Sequence, residues 1–322
     1  MQVKNIVIVN PRAAAGKVQK RLVDIEAAVS DSFGPCEVRA SDETGGVTRL
    51  VSEAVNENPE RLIIVGGDGT VNEAINGLAD PSTGELMKGC PPMVFLPSGT
   101  GCDFGRSIGA SGAGIVGALQ NLTSRTIDVG RIEVTDGDGE RVPRYFLNIA
   151  SIGVSAAIAQ NVNLGSKRLG GKAAFAVAAV TTLFSWRDRR VRLRIDDSFD
   201  EELTVSAVVV ANGRFFGGGM KVAPHAVLDD GLFDVIIMEG LGVFKFVMNS
   251  RKVYRGEHLD VPGIRSVRGK KISMEPLDDM GRVPAEMDGE HPGFLPVECT
   301  IIEGGVRVLA PWSRTTTVGL TI

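Results

Sequence analysis

The sequence predicts an α/β domain followed by an all-β domain, on three observations. Short apolar runs alternate with amphipathic helical stretches through residues 1–130, which is the grammar of βαβ units. Loops built of Gly, Asn, Pro and Asp leave the ends of three of those runs, where open α/β sheets place their ligands. Near residue 130 the pattern changes to short β-prone runs divided by turn residues. A chain of 322 residues with 43% hydrophobic content can bury a large core and suits about two domains.

Ile6–Val9 is an unbroken apolar run and reads as a buried strand. Asn10-Pro11 and Gly16-Lys17 lead from it into a stretch with Leu22, Ile25, Ala28 and Val29 at helical spacing. Glu37–Arg39 reads as a short strand, Thr44–Glu57 as a helix, Leu62–Val65 as a strand and Val71–Ala79 as a helix. Met93–Leu96 repeats the strand, followed by the loop Pro97–Asp103 and a further helical stretch. In the second half Arg131–Val134, Arg144–Ala150, Val191–Ile195, Leu203–Ala211, Leu232–Met238, Lys271–Met274 and Val297–Ile302 read as strands. Turns such as Asp136-Gly137-Asp138-Gly139 and Asp229-Asp230-Gly231 divide them. No repeat or long polar linker separates the halves, which predicts abutting domains that bracket a cleft.

A formal net charge of −4 argues against a protein that binds nucleic acid by bulk electrostatics. Cys36, Cys90, Cys102 and Cys299 lack paired ligand spacing, and three histidines add little. Neither a zinc site nor a disulfide framework is expected, and a reducing cytoplasm is the expected home. The opening Met-Gln-Val-Lys-Asn runs straight into the first strand, leaving no room for a signal peptide. Ala173–Trp186 is weakly polar but short of the roughly 18 apolar residues a membrane span needs. Its flanks carry Lys167, Arg168 and Lys172 on one side and Arg187, Arg189, Arg190, Arg192 and Arg194 on the other. They read either as the solvated ends of a helix on the β-domain or as a face for anionic headgroups.

Residues 62–76, LIIVGGDGTVNEAIN, join a strand, a tight glycine loop and a helix start. Gly66, Gly67 and Gly69 let the main chain approach an anion, and the helix N-terminus after Thr70 adds N–H donors. Asp68 would repel phosphate unless a divalent cation intervened, so the loop points to a nucleotide together with Mg²⁺. It is no Walker loop, and Asn72 stands where a dinucleotide fingerprint has its third glycine. Gly99-Thr100 is a second anion-friendly turn, and Asp103 brings a second acid from a neighbouring strand. Asp128 reads either as a solvated turn acid or as the third member of a magnesium-holding group with Asp68 and Asp103. Met287-Asp288-Gly289-Glu290 reads either as a polar hairpin turn or, if extended, as two carboxylates on one side. In the second case one orients and the other accepts a proton in phosphoryl transfer, and Glu290 is the better candidate base.

Asn10-Pro11 with Gly16-Lys17, Gly66 to Thr70 with Asn72-Glu73, Pro97 to Phe104, and Asp128-Val129-Gly130 occur in that order. Asn212-Gly213-Arg214 with Gly217 to Met220, Ala223-Pro224, Leu228 to Asp234 and Asp288-Gly289-Glu290 follow. The ordered set resembles the diacylglycerol kinase catalytic-domain family, which includes sphingosine and ceramide kinases, and most nearly its soluble bacterial lipid-kinase branch. The resemblance covers nearly the whole chain, although the first glycine motif alone is shared with NAD kinases. It implies a three-layer α/β nucleotide-binding domain at 1–130, rejoined by the C-terminal segment 306–322, and a β-sandwich lipid-substrate domain at 131–305.

The same resemblance implies ATP and Mg²⁺. Asn10, Gly67, Thr70 and Gly99 would contact ATP, Asp68, Asp103 and Asp128 would form a Mg²⁺-linked network, and Asp288 and Glu290 would be the catalytic pair, with Glu290 as base and Asp68 beside them. The turn at Leu228–Leu232 implies a structural Mg²⁺ held by Asp230 and the carbonyls of Leu228 and Leu232, with a plain hairpin turn as the alternative. The implied partner is a lipid, diacylglycerol or a relative, met transiently at the inner face of the membrane by a cytoplasmic protein. No nucleic-acid partner is implied, and a homodimer is compatible with the pattern. An NAD kinase and a non-catalytic lipid-binding relative are the competing readings. Two departures flank the nucleotide site and bear on nucleotide preference. Cys102 stands where the family usually has Asn, and Gly46-Val47-Thr48 where Gly-His-Ala is common.

Overall fold

The structure, a computed structural model, describes residues 5–16, 18–43, 45–98, 101–112, 114–164, 181–182, 184–240 and 243–312. Strand β1 (Asn5–Val9) is buried along its whole length, as its apolar run requires. It lies between β2 (Cys36–Ala40) and β3 (Arg61–Gly66), parallel to both, and β3 is followed by the parallel β4 (Met93–Pro97). The order β2-β1-β3-β4 reverses at β1, so the adjacent carboxyl ends of β1 and β3 form a topological switch point. Helix α1 (Leu22–Phe33) turns Ile25 and Val29 into the core, and α2 (Gly46–Asn56) turns in Val47, Leu50, Val51 and Ala54, both at helical spacing.

Helix α3 (Asp68–Asn76) begins three residues before the predicted Val71. Gly67 caps it in an extended conformation, so Asp68, Gly69 and Thr70 form its first turn, where an acid suits the helix dipole. Short helices α4 (Asp103–Ser107) and α5 (Gly114–Ala118) complete this half.

Strand β5 (Thr123–Thr135) crosses the predicted boundary near residue 130. Its Ile127 and Val129 pack in the first core, and its Ile132 and Val134 in the second. There follow β6 (Arg141–Phe146), β7 (Ile149–Gly153), helix α6 (Val154–Leu164), β8 (Arg189–Ile195), β9 (Phe199–Val205), β10 (Ala207–Ala211), β11 (Phe233–Met238), the helix Val243–Arg255, β12 (Ile264–Gly269), β13 (Lys271–Pro276), β14 (Pro284–Met287) and β15 (Glu290–Ala310). This half is therefore mostly but not wholly β. Two predicted strands are each divided. Arg144–Ala150 breaks at Leu147-Asn148, whose N–H groups serve a carboxylate instead of a neighbouring strand. Leu203–Ala211 breaks at Ser206, whose hydroxyl donates to Asp188 at 2.7 Å.

Strand β15 joins the two halves. It leaves a hairpin with β14, pairs antiparallel with β13 and β5, and ends parallel to β4, with Val308 opposite Met93. Val306, Val308, Ala310 and Trp312 pack in the first core. The remainder of the predicted return, 313–322, lies outside the described residues.

The predicted basic flanks are largely neutralised within the sheet: Arg189 pairs with Asp278 at 2.5 Å, Arg190 with Glu202 at 3.6 Å, Arg192 with Asp200 at 2.7 Å and Arg194 with Glu275 at 3.0 Å. Lys167, Arg168, Lys172 and most of Ala173–Trp186 lie outside the described residues. Among the described residues no helix is long and apolar enough to cross a membrane.

Asp128 is the latch where β5, β15 and the turn before β11 meet. Its carboxylate accepts the N–H of Gly231 at 2.7 Å and of Gly304 at 2.8 Å, while its own N–H donates to the Leu228 carbonyl at 2.7 Å. Gly304 lies in the bulge between Ile302 and Val306 that lets β15 bend from one half to the other. Asp128→Ala leaves two charge-paired N–H groups without their acceptor and is expected to destabilise the fold by about 3 kcal/mol. Scanning calorimetry reads this as a lowered Tm, and an unchanged Tm would remove the latch.

Candidate active site

At the switch point, the Asn10 amide at the end of β1 donates to the Thr70 hydroxyl at 3.3 Å. Its oxygen accepts the Arg12 N–H at 3.0 Å. Gly66 is packed against Thr70 so closely that any Cβ there would overlap it. These contacts draw the turn after β3 tightly against β1.

Asp68 crosses to the neighbouring loop. Its two oxygens accept the N–H groups of Asp103 at 3.0 Å and Phe104 at 3.1 Å, capping α4. Burial raises its pKa, and repulsion from Asp103 raises it further. Asp103 accepts from the Arg106 guanidinium at 2.7 Å and from the Gly218 N–H at 2.7 Å. Gly217, Gly218 and Gly219 all have positive φ, at 59°, 85° and 110°, a run only glycine adopts at low cost. It brings the second half of the chain onto Asp103. Cys102, immediately before α4, is held at φ 49°. Its buried thiol is pushed up to about 11 by burial and by Asp68, which makes it a poor nucleophile.

The hairpin between β14 and β15 supplies the remaining acids. Asp288 accepts three successive backbone donors, Leu147 at 2.9 Å, Asn148 at 3.1 Å and Ile149 at 2.9 Å. Burial pushes its carboxyl up to about 6, against the pull of those bonds, and the nearby Asp68 adds to the rise. Asp288 is thus an anchor for the turn. Glu290 is open to solvent as a residue, but its carboxyl end is crowded: a Cβ on Gly69 would stand 2.9 Å from its Oε1. Desolvation and the neighbouring Glu73 both raise its pKa. Among the described residues no hydrogen-bond donor reaches its carboxylate, which leaves it available as an acceptor.

The structure separates what the sequence grouped. Asp68 and Asp103 are neighbours, but Asp128 has Asp229 and Asp230 as its acidic neighbours instead. Among the described residues no three His, Cys, Asp or Glu side chains gather as a ready metal set. Two of the ligands proposed for a structural Mg²⁺, the Asp230 carboxylate and the Leu228 carbonyl, already have partners within the chain. Asp230 is ion-paired with Arg268 and accepts the Leu232 N–H at 3.2 Å, and the Leu228 carbonyl takes the Asp128 N–H. A Mg²⁺ at this turn would have to share Asp230 with Arg268. Gly99 and Thr100 lie outside the described residues.

Sequence reasoning missed Glu286, Arg106, Asn148 and the Gly218 N–H. Glu286 carried a readable signal, since Glu286, Asp288 and Glu290 alternate as one-sided residues of an extended segment do. It is wholly buried, and burial pushes its carboxyl up to about 8. A pKa raised above the ordinary 4.5 stabilises the fold below that pH, and the contribution is lost as pH rises towards about 8. Relative to Glu286→Gln, the wild type is expected to lose about 1.4 kcal/mol per pH unit across the upper part of that window. Chemical denaturation at stepped pH measures it, and parallel curves would reject the shift.

Residues 4–132 match the diacylglycerol kinase catalytic domain, and residues 148–310 match the YegS C-terminal NAD kinase beta sandwich-like domain. A diacylglycerol kinase of Bacillus subtilis (strain 168) is 27% identical over 309 residues, 95% of each chain. One from Staphylococcus aureus (strain MRSA252) is also 27% identical, over 95% of this chain and 91% of its own. The solved structure of a putative diacylglycerol kinase from Bacillus anthracis str. Sterne superposes with a TM-score of 0.73 at 24% identity, covering 98% of both chains. With one family model matched on each half and diacylglycerol kinases aligned along nearly the whole chain, the chain belongs to the diacylglycerol kinase catalytic-domain family and is a lipid kinase.

Proposed function

We propose that the cleft transfers the γ-phosphoryl group of ATP to the hydroxyl of a membrane lipid of the diacylglycerol class, with Glu290 as the base. The observation that carries this reading is the approach of Glu290 Oε1 to Gly69, in the first turn of α3 and beside Asp68. The N–H groups of Asp68, Gly69 and Thr70 have no intrahelical acceptor by position and point towards an anion at the helix start. Asn10 and Thr70 wall the same opening. A phosphate held there lies within reach of Glu290, which accepts the proton of the attacking hydroxyl as the oxygen–phosphorus bond forms.

Asp68 and Asp103 fit a hydrated divalent ion, because burial and the neighbouring Asp103 raise the cost of ionising Asp68 and a cation relieves it. Mg²⁺ bound at Asp68 would offset phosphate charge. The lipid acceptor favours transient contact with the inner face of the membrane by a cytoplasmic protein.

Three outcomes test the reading. Labelled ATP with a total lipid extract is expected to give label in a chloroform-soluble product, while a parallel tube with NAD stays blank. Label in NADP, or none in lipid, would overturn the assignment. Glu290→Gln is expected to lower kcat by about 10²–10⁴-fold with an unaltered circular dichroism spectrum, and wild-type turnover would remove Glu290 as the base. Gly69→Ala adds a methyl group against Glu290 Oε1 and is expected to lower kcat by roughly tenfold by displacing the base. A kcat equal to wild type would show that the base does not work from this position.

A further inference from the structure

Glu286 has no part in the reading so far, yet its surroundings are unusual for a carboxyl group. It is fully buried in β14, directly opposite Ser151 of β7 in the sheet register. Ala285 and Met287, on either side, turn into one core, so Glu286 faces the other side of the sheet. Helix α6, Val-Ser-Ala-Ala-Ile-Ala-Gln-Asn-Val-Asn-Leu, packs against β14 and contains no ionisable residue. The charged groups that act on Glu286 are Asp288 and Glu290, both of its own sign. An apolar residue would be cheaper at such a position, so the carboxyl needs a local reason.

The reason lies in its two short bonds. The Ser151 hydroxyl donates to Oε2 at 2.6 Å, and the Gly289 N–H donates to Oε1 at 2.6 Å. Gly289 is the residue between Asp288 and Glu290, and it has φ 93° with nothing near the place of a Cβ. A turn residue with so much room is conformationally free unless its peptide is held. Asp288 fixes one side of the turn to 147–149, and Glu286 fixes the peptide that leads to Glu290. We propose that Glu286 is a positioning residue which, seated on Ser151, clamps the Gly289 peptide and so aims the Glu290 carboxylate at Gly69. The inference rests on the reading of Glu290 as the base.

The buried carboxyl is pushed up by burial first and by its acidic neighbours next, while its hydrogen bonds oppose the rise. A neutral side chain of the same shape should therefore serve equally well. In Glu286→Gln the amide oxygen still accepts from Gly289, and the amide N–H faces the Ser151 oxygen. In Glu286→Ala the Gly289 N–H loses its 2.6 Å bond to Oε1.

Transfer of labelled phosphate from ATP to vesicles of total lipid extract tests this with kcat and KM for ATP measured separately. Glu286→Ala is expected to lower kcat by about 30-fold while KM for ATP changes less than about threefold, since Asn10 and the first turn of α3 are untouched. Glu286→Gln is expected to recover kcat to within about threefold of wild type. Wild-type kcat in Glu286→Ala, or equal losses in Ala and Gln variants, would overturn the clamp. If Glu286→Ala fails to fold, Ser151→Ala removes only the seat of the carboxyl. A fall of several-fold in kcat at constant KM supports the clamp, and an unchanged kcat overturns it. Glu290→Gln separates the two ideas. If it keeps wild-type turnover, the base assignment falls and the clamp with it; if it is inactive while Glu286→Ala is normal, the clamp alone falls.

Discussion

The arrangement of this site depends on one buried carboxylate, held by three backbone N–H groups. Asp288 gathers the N–H groups of Leu147, Asn148 and Ile149, and through them fixes the β14–β15 turn to the junction of β6 and β7. Burying an ionised group costs several kcal/mol. Three charge-assisted bonds of about 1.5–3 kcal/mol each are of the size needed to offset that. The arrangement explains three local features at once. The predicted strand Arg144–Ala150 is interrupted, because three of its N–H groups are turned to the carboxylate. Asp288 adopts φ 48°, a conformation Asp tolerates better than most residues. Glu290 leaves the turn directed at Gly69.

The acids of the cleft are sorted by what satisfies them. Asp68 is held by the N–H groups that begin α4, Asp103 by Arg106 and Gly218, Asp288 by three backbone donors, and Glu286 by Ser151 and Gly289. Most of this stabilisation comes from backbone dipoles, not from countercharges, and it takes away the acids' freedom to turn. That is the condition for preorganisation, in which polar groups are already oriented when charge develops. Glu290 alone among these acids has no such donor among the described residues. It is the group in the set with spare accepting capacity.

The layout of the first half was legible because buried parallel strands and the helices between them leave a periodic trace in the sequence. Ile6–Val9, Leu62–Val65 and Met93–Leu96 each reappear within one residue of a strand boundary. The glycine loop was legible for the same local reason, although a capped α3 takes in Asp68 to Thr70. What was illegible is long-range. The latch at Asp128, the break at Leu147-Asn148 and the sharing of Asp230 with Arg268 all join segments far apart in the chain. A carboxylate that serves distant N–H groups looks, in sequence, like any turn acid, which is why Asp128 was grouped with Asp68. Glu286 is hidden in the sequence because the Asp-Gly-Glu element is the more recognisable pattern, although the alternation begins two residues earlier.

Strand β15 converts these local anchors into one frame. Its first residue is Glu290, and its last residues lie beside β4 in the parallel sheet, so Glu290 and the first turn of α3 are tied through continuous backbone pairing. Rigid strands locate groups more closely than loops do, and a misplacement of about 1 Å is enough to cost a large factor in rate. The loop before α4 shows where that frame is under local strain. Cys102 is held at φ 49°, a conformation that Asn would occupy at lower cost than Cys. The strain is tolerated because Asp68 caps the helix that follows and fixes the loop from the other side. Cys102 therefore offers a thiol beside Asp68, where Asn would offer an amide, while the carboxylate scaffold stays in place.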